Sequence, residues 1–264
     1  MKTIWLGTSW KMNKTRAEAL AYCETLIGQL PAILHETIQP FFIPSFTAIQ
    51  PVTACLQTHR LPWLTGGQNM SEQDSGALTG EISASMLVDA GATLVELGHS
   101  ERRANFNETD EKINKKVHAA LRHGLRPLIC IGDTAEEKAW QVSSETVIRQ
   151  AKIALHGLSV SEAQKCIIAY EPVWAIGEHG TPATPEEAGE THSILRRALC
   201  EKFGESAGAQ IPLLYGGSVN QQNAVTLLQQ ADIDGLFIGR AAWDAAGYCQ
   251  IVARVVQDLI LKAR

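Results

Sequence analysis

Short apolar runs alternate along this chain with longer segments in which apolar residues recur every three or four positions. The short runs predict eight strands, at Thr3–Gly7, Gln39–Ile43, Trp63–Thr65, Thr93–Leu97, Arg126–Ile131, Lys165–Tyr170, Ile211–Leu214 and Asp234–Ile238. Several of them (LVEL, PLICI, CIIAY, GLFI) are apolar almost without a break, as parallel strands covered on both faces must be. The longer segments predict helices. Thr15–Leu30 places apolar groups at 19, 20, 23, 26, 27 and 30, a single stripe. Glu108–His123, Glu136–His156, Pro185–Phe203, Val219–Gln229 and Ala241–Leu261 follow the same rule. Thr184 reads as a helix N-cap with Pro185 at the first helical position.

Eight strand–helix units without a linker leave two architectures, a closed barrel or a large open sheet. No G-x-G-x-x-G turn follows the first strand, which weakens a dinucleotide-binding sheet. Eight near-equal units favour a (β/α)₈ barrel, a fold that uses about 250 residues as one domain. The whole chain, 1–264, is therefore expected to be a single domain.

Composition narrows the function classes. The net charge is −5, and Lys and Arg are scattered, so no footprint for nucleic acid is present. No apolar run approaches the roughly 18 residues of a membrane span. The opening Ile4-Trp5-Leu6 is too short for a signal peptide and is soon followed by Lys11 and Lys14, so a cytoplasmic protein is expected. Six dispersed cysteines without a C-x-x-C pair read as free thiols. The eight histidines lack paired ligand spacing, so neither a metal nor another cofactor is expected.

In such barrels chemistry sits on the loops at the carboxyl ends of the strands. There the sequence offers Lys11 after the first strand, His99 after the fourth and Glu171 after the sixth. A lysine at that position can present a fixed positive charge to an anion, although position alone is equally compatible with a surface lysine. His99 stands beside Glu101, Arg102 and Arg103. Glu171 opens an apolar loop stiffened by Pro172 and Pro182, which reads as a mobile lid; a carboxylate under such a cover becomes more basic. The bland alternative is a structural ion pair. Gly216-Gly217-Ser218 reads as a turn opening a helix, and Gly239-Arg240 as a second one. Helix N-termini after the seventh and eighth strands of a barrel suit a phosphate. Together these groups suit proton transfer next to the carbonyl of a small phosphorylated sugar, with Glu171 as base and His99 as electrophile.

The motifs W-K-M-N (10–13), G-A-L-T-G-E-I-S (76–83), E-L-G-H-S-E-R-R (96–103), C-I-G-D (130–133), A-Y-E-P-V-W-A-I-G (169–177) and L-Y-G-G-S-V-N (214–220) closely resemble the triosephosphate isomerase family, in order and over nearly the whole chain. The resemblance implies Lys11, His99 and Glu171 as the catalytic set, and phosphate binding by Gly177, Ser218 and the loop at Gly239. In that family the histidine works as a neutral imidazole, its pKa lowered by a helix N-terminus. The resemblance also implies a homodimer in which the loop Asn69–Glu81 enters the neighbouring subunit, with Thr79 reaching across.

Three positions depart from the family pattern. Ser9 stands where the family has asparagine, Arg240 where it has a second glycine, and the lid GEHGTPATP is one residue longer. Serine for asparagine vacates about three heavy atoms of volume, and one extra hydroxymethyl group needs two. Ser9 and Arg240 are therefore expected to contact substrate. The combination resembles the erythrulose-phosphate branch of the family, which moves a ketone between the inner carbons of a four-carbon phosphosugar. The competing readings are a true three-carbon isomerase and a non-catalytic phosphosugar-binding barrel. An aldolase would need a lysine inside the barrel, and Lys165 lies at the wrong end of its strand.

Overall fold

The computed structural model describes residues 2–176 and 182–262. The first half of the chain runs β1 (Ile4–Ser9), α1 (Arg16–Gln29), β2 (Ile38–Ile43), α2 (Ile49–Thr58), β3 (Leu64–Gly67), α3 (Ala84–Asp89), β4 (Leu94–Leu97), α4 (Ser100–Phe106) and α5 (Asp110–Arg122). The second half runs β5 (Arg126–Ile131), α6 (Ala135–Ala139), α7 (Ser143–Ala154), α8 (Val160–Ala163), β6 (Ile167–Tyr170), α9 (Pro185–Phe203), α10 (Glu205–Gln210), β7 (Leu213–Tyr215), α11 (Ala224–Leu228), β8 (Gly235–Ile238) and α12 (Ala245–Lys262). The eight strands are parallel and close in sequence order into a barrel, with Thr8 of β1 opposite Ile238 of β8.

Side chains alternate across each strand, so each strand feeds two cores. Trp5, Phe41, Leu94, Leu128, Ile167, Leu214 and Phe237 point inward and fill the barrel. Leu6, Phe42, Val95, Ile129, Ile168, Leu213 and Leu236 point outward and are buried under the helices. Both faces are dry, which is why the strand sequences are apolar without alternation. Helix starts are marked by reciprocal Thr/Ser–Glu capping boxes at Thr15–Glu18, Thr134–Glu137, Ser159–Glu162 and Thr184–Glu187. Each cap is worth about 1 kcal/mol.

The structure corrects several expected boundaries. β1 extends to Ser9 and β7 to Tyr215, whereas β6 starts only at Ile167. The helix expected over Glu136–His156 is two helices, because Gln141 adopts a left-handed φ of 62° between them. The segment Val219–Gln229 is helical only from Ala224. Before it, the Asn220 side chain accepts from the N–H groups of Gln222 and Asn223, and Asn223 accepts from that of Asn220. Such side-chain bonds compete with the helical ladder. The start of the segment Ala241–Leu261 belongs to a 3₁₀ turn, Arg240–Ala242, and α12 begins at Ala245.

Candidate active site

Three strand ends bring Lys11, His99 and Glu171 together at the mouth of the barrel. They line one cavity of about 520 Å³ with Ser9, whose side chain points inward from the last residue of β1. A larger groove of about 720 Å³ lies among the outer helices, at Glu111, Lys152 and Lys202, and contains none of these groups. Chemistry therefore selects the smaller cavity.

Lys11 has a left-handed backbone, φ 53°. In a residue with a Cβ this costs about 1–3 kcal/mol and persists only where the surroundings enforce it. Here the Gln68 amide donates to the Lys11 carbonyl at 2.8 Å. The Lys11 ammonium is then held by Glu101 Oε1 at 2.6 Å.

His99 caps α4. Its Nδ1 accepts the backbone N–H of Glu101 at 3.1 Å. In the neutral ring the other nitrogen, Nε2, must carry the proton. Burial, helped by the positive charge of Lys11, pushes the His99 pKa down to about 4, so the ring is neutral at ordinary pH. Its 3.7 Å approach to Glu101 Oε2 is for that reason a contact and not an ion pair.

Glu171 follows β6 directly and is only 3% exposed. Two glycines make room for it. A Cβ on Gly132 would lie 2.0 Å from the Glu171 carbonyl oxygen, and one on Gly216 2.7 Å from its Cγ. Its Oε2 has no hydrogen-bond partner among the described residues and stands 3.5 Å from His99 Nε2. Burial above all, and then the nearby charge of Glu96, raise its pKa well above the usual carboxylate range. A desolvated carboxylate with one open oxygen gains by taking a proton. Facing it are an imidazole N–H and an ammonium, which suit a developing oxyanion.

The rim of the cavity comes from the loops after β7 and β8, through Gly216–Asn220 and Ile238–Ala241. Ser218 lines it, its hydroxyl donating to the Ala175 carbonyl at 2.8 Å. The expected helix N-terminus at Ser218 is absent, since α11 starts at Ala224. Gly239 and the exposed Arg240 form the other side, and here a 3₁₀ turn replaces the expected α-helix. Gly177 and most of the lid, residues 177–181, lie outside the described residues; Ile176 and Pro182 on either side of them line the cavity.

Several supporting residues escape a reading of the sequence. Glu96 of β4 is buried and accepts the Ser9 hydroxyl at 2.7 Å, and burial raises its pKa to about 7. Trp243 donates its indole N–H to the Ser9 carbonyl at 2.9 Å. Asp133 is fully buried and accepts from Tyr170, Ser143 and Trp174, while its carbonyl takes the Val173 N–H. It fastens the start of the lid to β5. Glu96 and Asp133 stand in the motifs at 96–103 and 130–133, but their partners lie elsewhere in the chain, so the motifs do not announce these contacts.

Thr79 sits in a loop that is exposed from Gln73 to Glu81. The loop is pinned at its base by the Ser71 N–H donating to the Ile82 carbonyl and by Asp74 against Arg122 and His123.

The comparisons with known proteins bear on this arrangement. The family model of triosephosphate isomerase matches residues 4–255. The chain belongs to the triosephosphate isomerase family. It is an isomerase of that type, and its barrel resembles the crystal structure of triosephosphate isomerase from Bartonella henselae, with a TM-score of 0.84 and 34% identity over 95% of this chain and 98% of that one. The L-erythrulose-1-phosphate isomerase of Rhizobium etli is 48% identical over 96% of this chain and 92% of its own length. That of Mycolicibacterium smegmatis is 48% identical over 94% of this chain and 92% of its own. The neutral histidine at a helix start is the documented pattern of triosephosphate isomerase itself.

Proposed function

We propose that this isomerase interconverts L-erythrulose 1-phosphate and D-erythrulose 4-phosphate. The observation that carries the substrate is Ser9. A small side chain stands at the end of β1 where the family pattern has asparagine, and it lines the cavity beside His99 and Glu171. The curated relatives bearing the four-carbon name, near 48% identity, support the same choice over the three-carbon reading.

Glu171, Lys11 and His99 carry the reaction. The phosphate is held by Gly177, Ser218, Gly239 and Arg240. Glu171 removes the proton from C3 of L-erythrulose 1-phosphate, and the C–H electron pair moves toward the C2 carbonyl, giving an enediolate. His99 Nε2–H donates to O2 as charge builds there, and Lys11 stabilises that charge. The ring nitrogen recovers a proton from O3, and Glu171 returns its own to C2. The carbonyl has then moved from C2 to C3, and renumbering from the other end gives D-erythrulose 4-phosphate. No redox cofactor enters this balance.

The protein works as a cytoplasmic homodimer in this reading, with Thr79 and its exposed loop seated on the partner. Exposed apolar side chains near the mouth of the barrel support it, Met12 being 96% exposed and Met86 57%.

The test of substrate is a side-by-side determination of kcat/KM on L-erythrulose 1-phosphate and on D-glyceraldehyde 3-phosphate, for the parent and for Ser9→Asn. Overpacking by the larger amide typically costs about 1–3 kcal/mol, roughly five- to 150-fold. The four-carbon to three-carbon ratio is expected to fall by that factor. An unchanged ratio removes Ser9 from substrate selection.

A further inference from the structure

Ser9 is held from two sides. Its hydroxyl donates to Glu96 Oε2 at 2.7 Å, across the barrel from β1 to β4, with Ser9 5% and Glu96 3% exposed. Its carbonyl takes the Trp243 indole N–H at 2.9 Å. Trp243 ends the 3₁₀ turn that begins at Arg240, its own N–H donating to the Arg240 carbonyl. One rigid unit therefore joins the phosphate rim to the end of β1.

The position of this unit in the cavity follows from the strands. Ser9 shares the inward face of β1 with Trp5 and Gly7, and Gly7 pairs with Phe237 of β8, one inward step below Ser9; Ser9 and Phe237 both line the cavity. Glu96 precedes His99 by three residues on a strand whose carboxyl end is the mouth. The Ser9–Glu96 pair thus spans the barrel deeper than His99. A substrate whose phosphate sits at the rim turns its other end toward this floor.

A serine hydroxyl has one proton and two acceptor lone pairs. With Glu96 ionised, the serine proton is committed to that carboxylate, and no other donor among the described residues reaches the Ser9 hydroxyl. What remains is an acceptor, fixed in direction and facing the end of the substrate away from the phosphate. We propose that Ser9, set as an acceptor by Glu96 and in position by Trp243, accepts a hydrogen bond from the terminal hydroxyl that a four-carbon phosphosugar carries and so selects it. This rests on the four-carbon reading above and goes beyond it: the extra carbon is read through its hydroxyl, and not merely admitted by vacant volume. Ser9 touches substrate; Glu96 and Trp243 are positioning residues. A three-carbon chain ends one carbon short of the acceptor.

The experiment compares L-erythrulose 1-phosphate with its 4-deoxy analogue, which keeps four carbons and loses the hydroxyl. In the parent, the natural substrate should exceed the analogue in kcat/KM by about tenfold, the value of one net hydrogen bond in a buried site. In Ser9→Ala the preference should shrink to about threefold or less, because acceptor and donor are removed in a closed cycle. Trp243→Phe keeps the ring and deletes the donor, and it should lower the preference in the same direction through KM more than through kcat. A parent that handles both four-carbon compounds equally overturns the proposal without any variant. So does a Ser9→Ala enzyme that loses activity on both compounds by the same factor, the result of a purely structural serine. A parent that turns over only the three-carbon substrate removes the four-carbon reading itself, and this inference with it.

Discussion

The Glu101 backbone N–H donates to His99 Nδ1 at 3.1 Å, and this one bond decides which face of the imidazole meets the base. It leaves the proton on Nε2, which stands 3.5 Å from Glu171 Oε2. An electrophile and a base separated by so little, with one carboxylate oxygen open, are set to serve adjacent carbons of the same substrate.

Because burial and Lys11 hold the His99 pKa down to about 4, the ring is expected to stay neutral through pH 5. Imidazole ¹⁵N shifts in a His99-resolved NMR titration check this; a midpoint near 6.5 would contradict it. The sign carries over to stability. Unfolded His99 binds a proton below about pH 6.5, whereas the folded ring resists it down to about pH 4. Its contribution is therefore complete above pH 6.5 and is lost as the pH falls toward 4.

Shortening the base separates placement from binding. Glu171→Asp withdraws the carboxylate by about 1 Å, which can lower turnover about 100-fold. The Michaelis constant should change far less, since the phosphate is held elsewhere. Turnover within threefold of the parent excludes Glu171 as the base.

Asp133 ties β5, β6 and the start of the lid in one buried knot. Asp133→Ala leaves the Tyr170 hydroxyl and the Trp174 N–H without their acceptor. Stranding buried donors costs about 1–3 kcal/mol each, so the melting temperature should drop by about 5 °C or more. Calorimetry that finds no drop would show these donors to be satisfied by water.

The loop bearing Thr79 predicts association. Sedimentation should give a dimer, and Thr79→Arg, which puts a charge into the contact, should shift the protein toward monomer with loss of activity. A monomer at full activity contradicts the dimer reading, because the partner's loop is expected to brace the Lys11–His99 side of the site.

What was legible in the sequence follows the range of the interactions. Strands buried on both faces are apolar without alternation, so all eight were visible, as were caps such as Thr184 before Pro185. The gathering of Lys11, His99 and Glu171 could be read because each stands within two residues of a strand's carboxyl end, and strand ends converge in a closed barrel. The supposed helix at Val219 misled because its apolar spacing is real, but Asn220 and Asn223 capture the backbone first. The short helices α3 and α4 offer too few turns for a period to register. The bonds of Glu96 and Trp243 were invisible for a different reason: their partner, Ser9, is 87 residues away from one and 234 from the other. Only closure of the barrel brings them together.

The central claim joins a substrate to a route, and one reaction in deuterium oxide tests both. Supplied with L-erythrulose 1-phosphate, the enzyme should yield D-erythrulose 4-phosphate carrying solvent deuterium at C3, the former C2. This follows because the proton held by Glu171 exchanges with solvent before it is returned. Product free of deuterium would exclude proton transfer through a solvent-exchanging base. No conversion at all, under conditions where D-glyceraldehyde 3-phosphate is turned over, would contradict the four-carbon assignment.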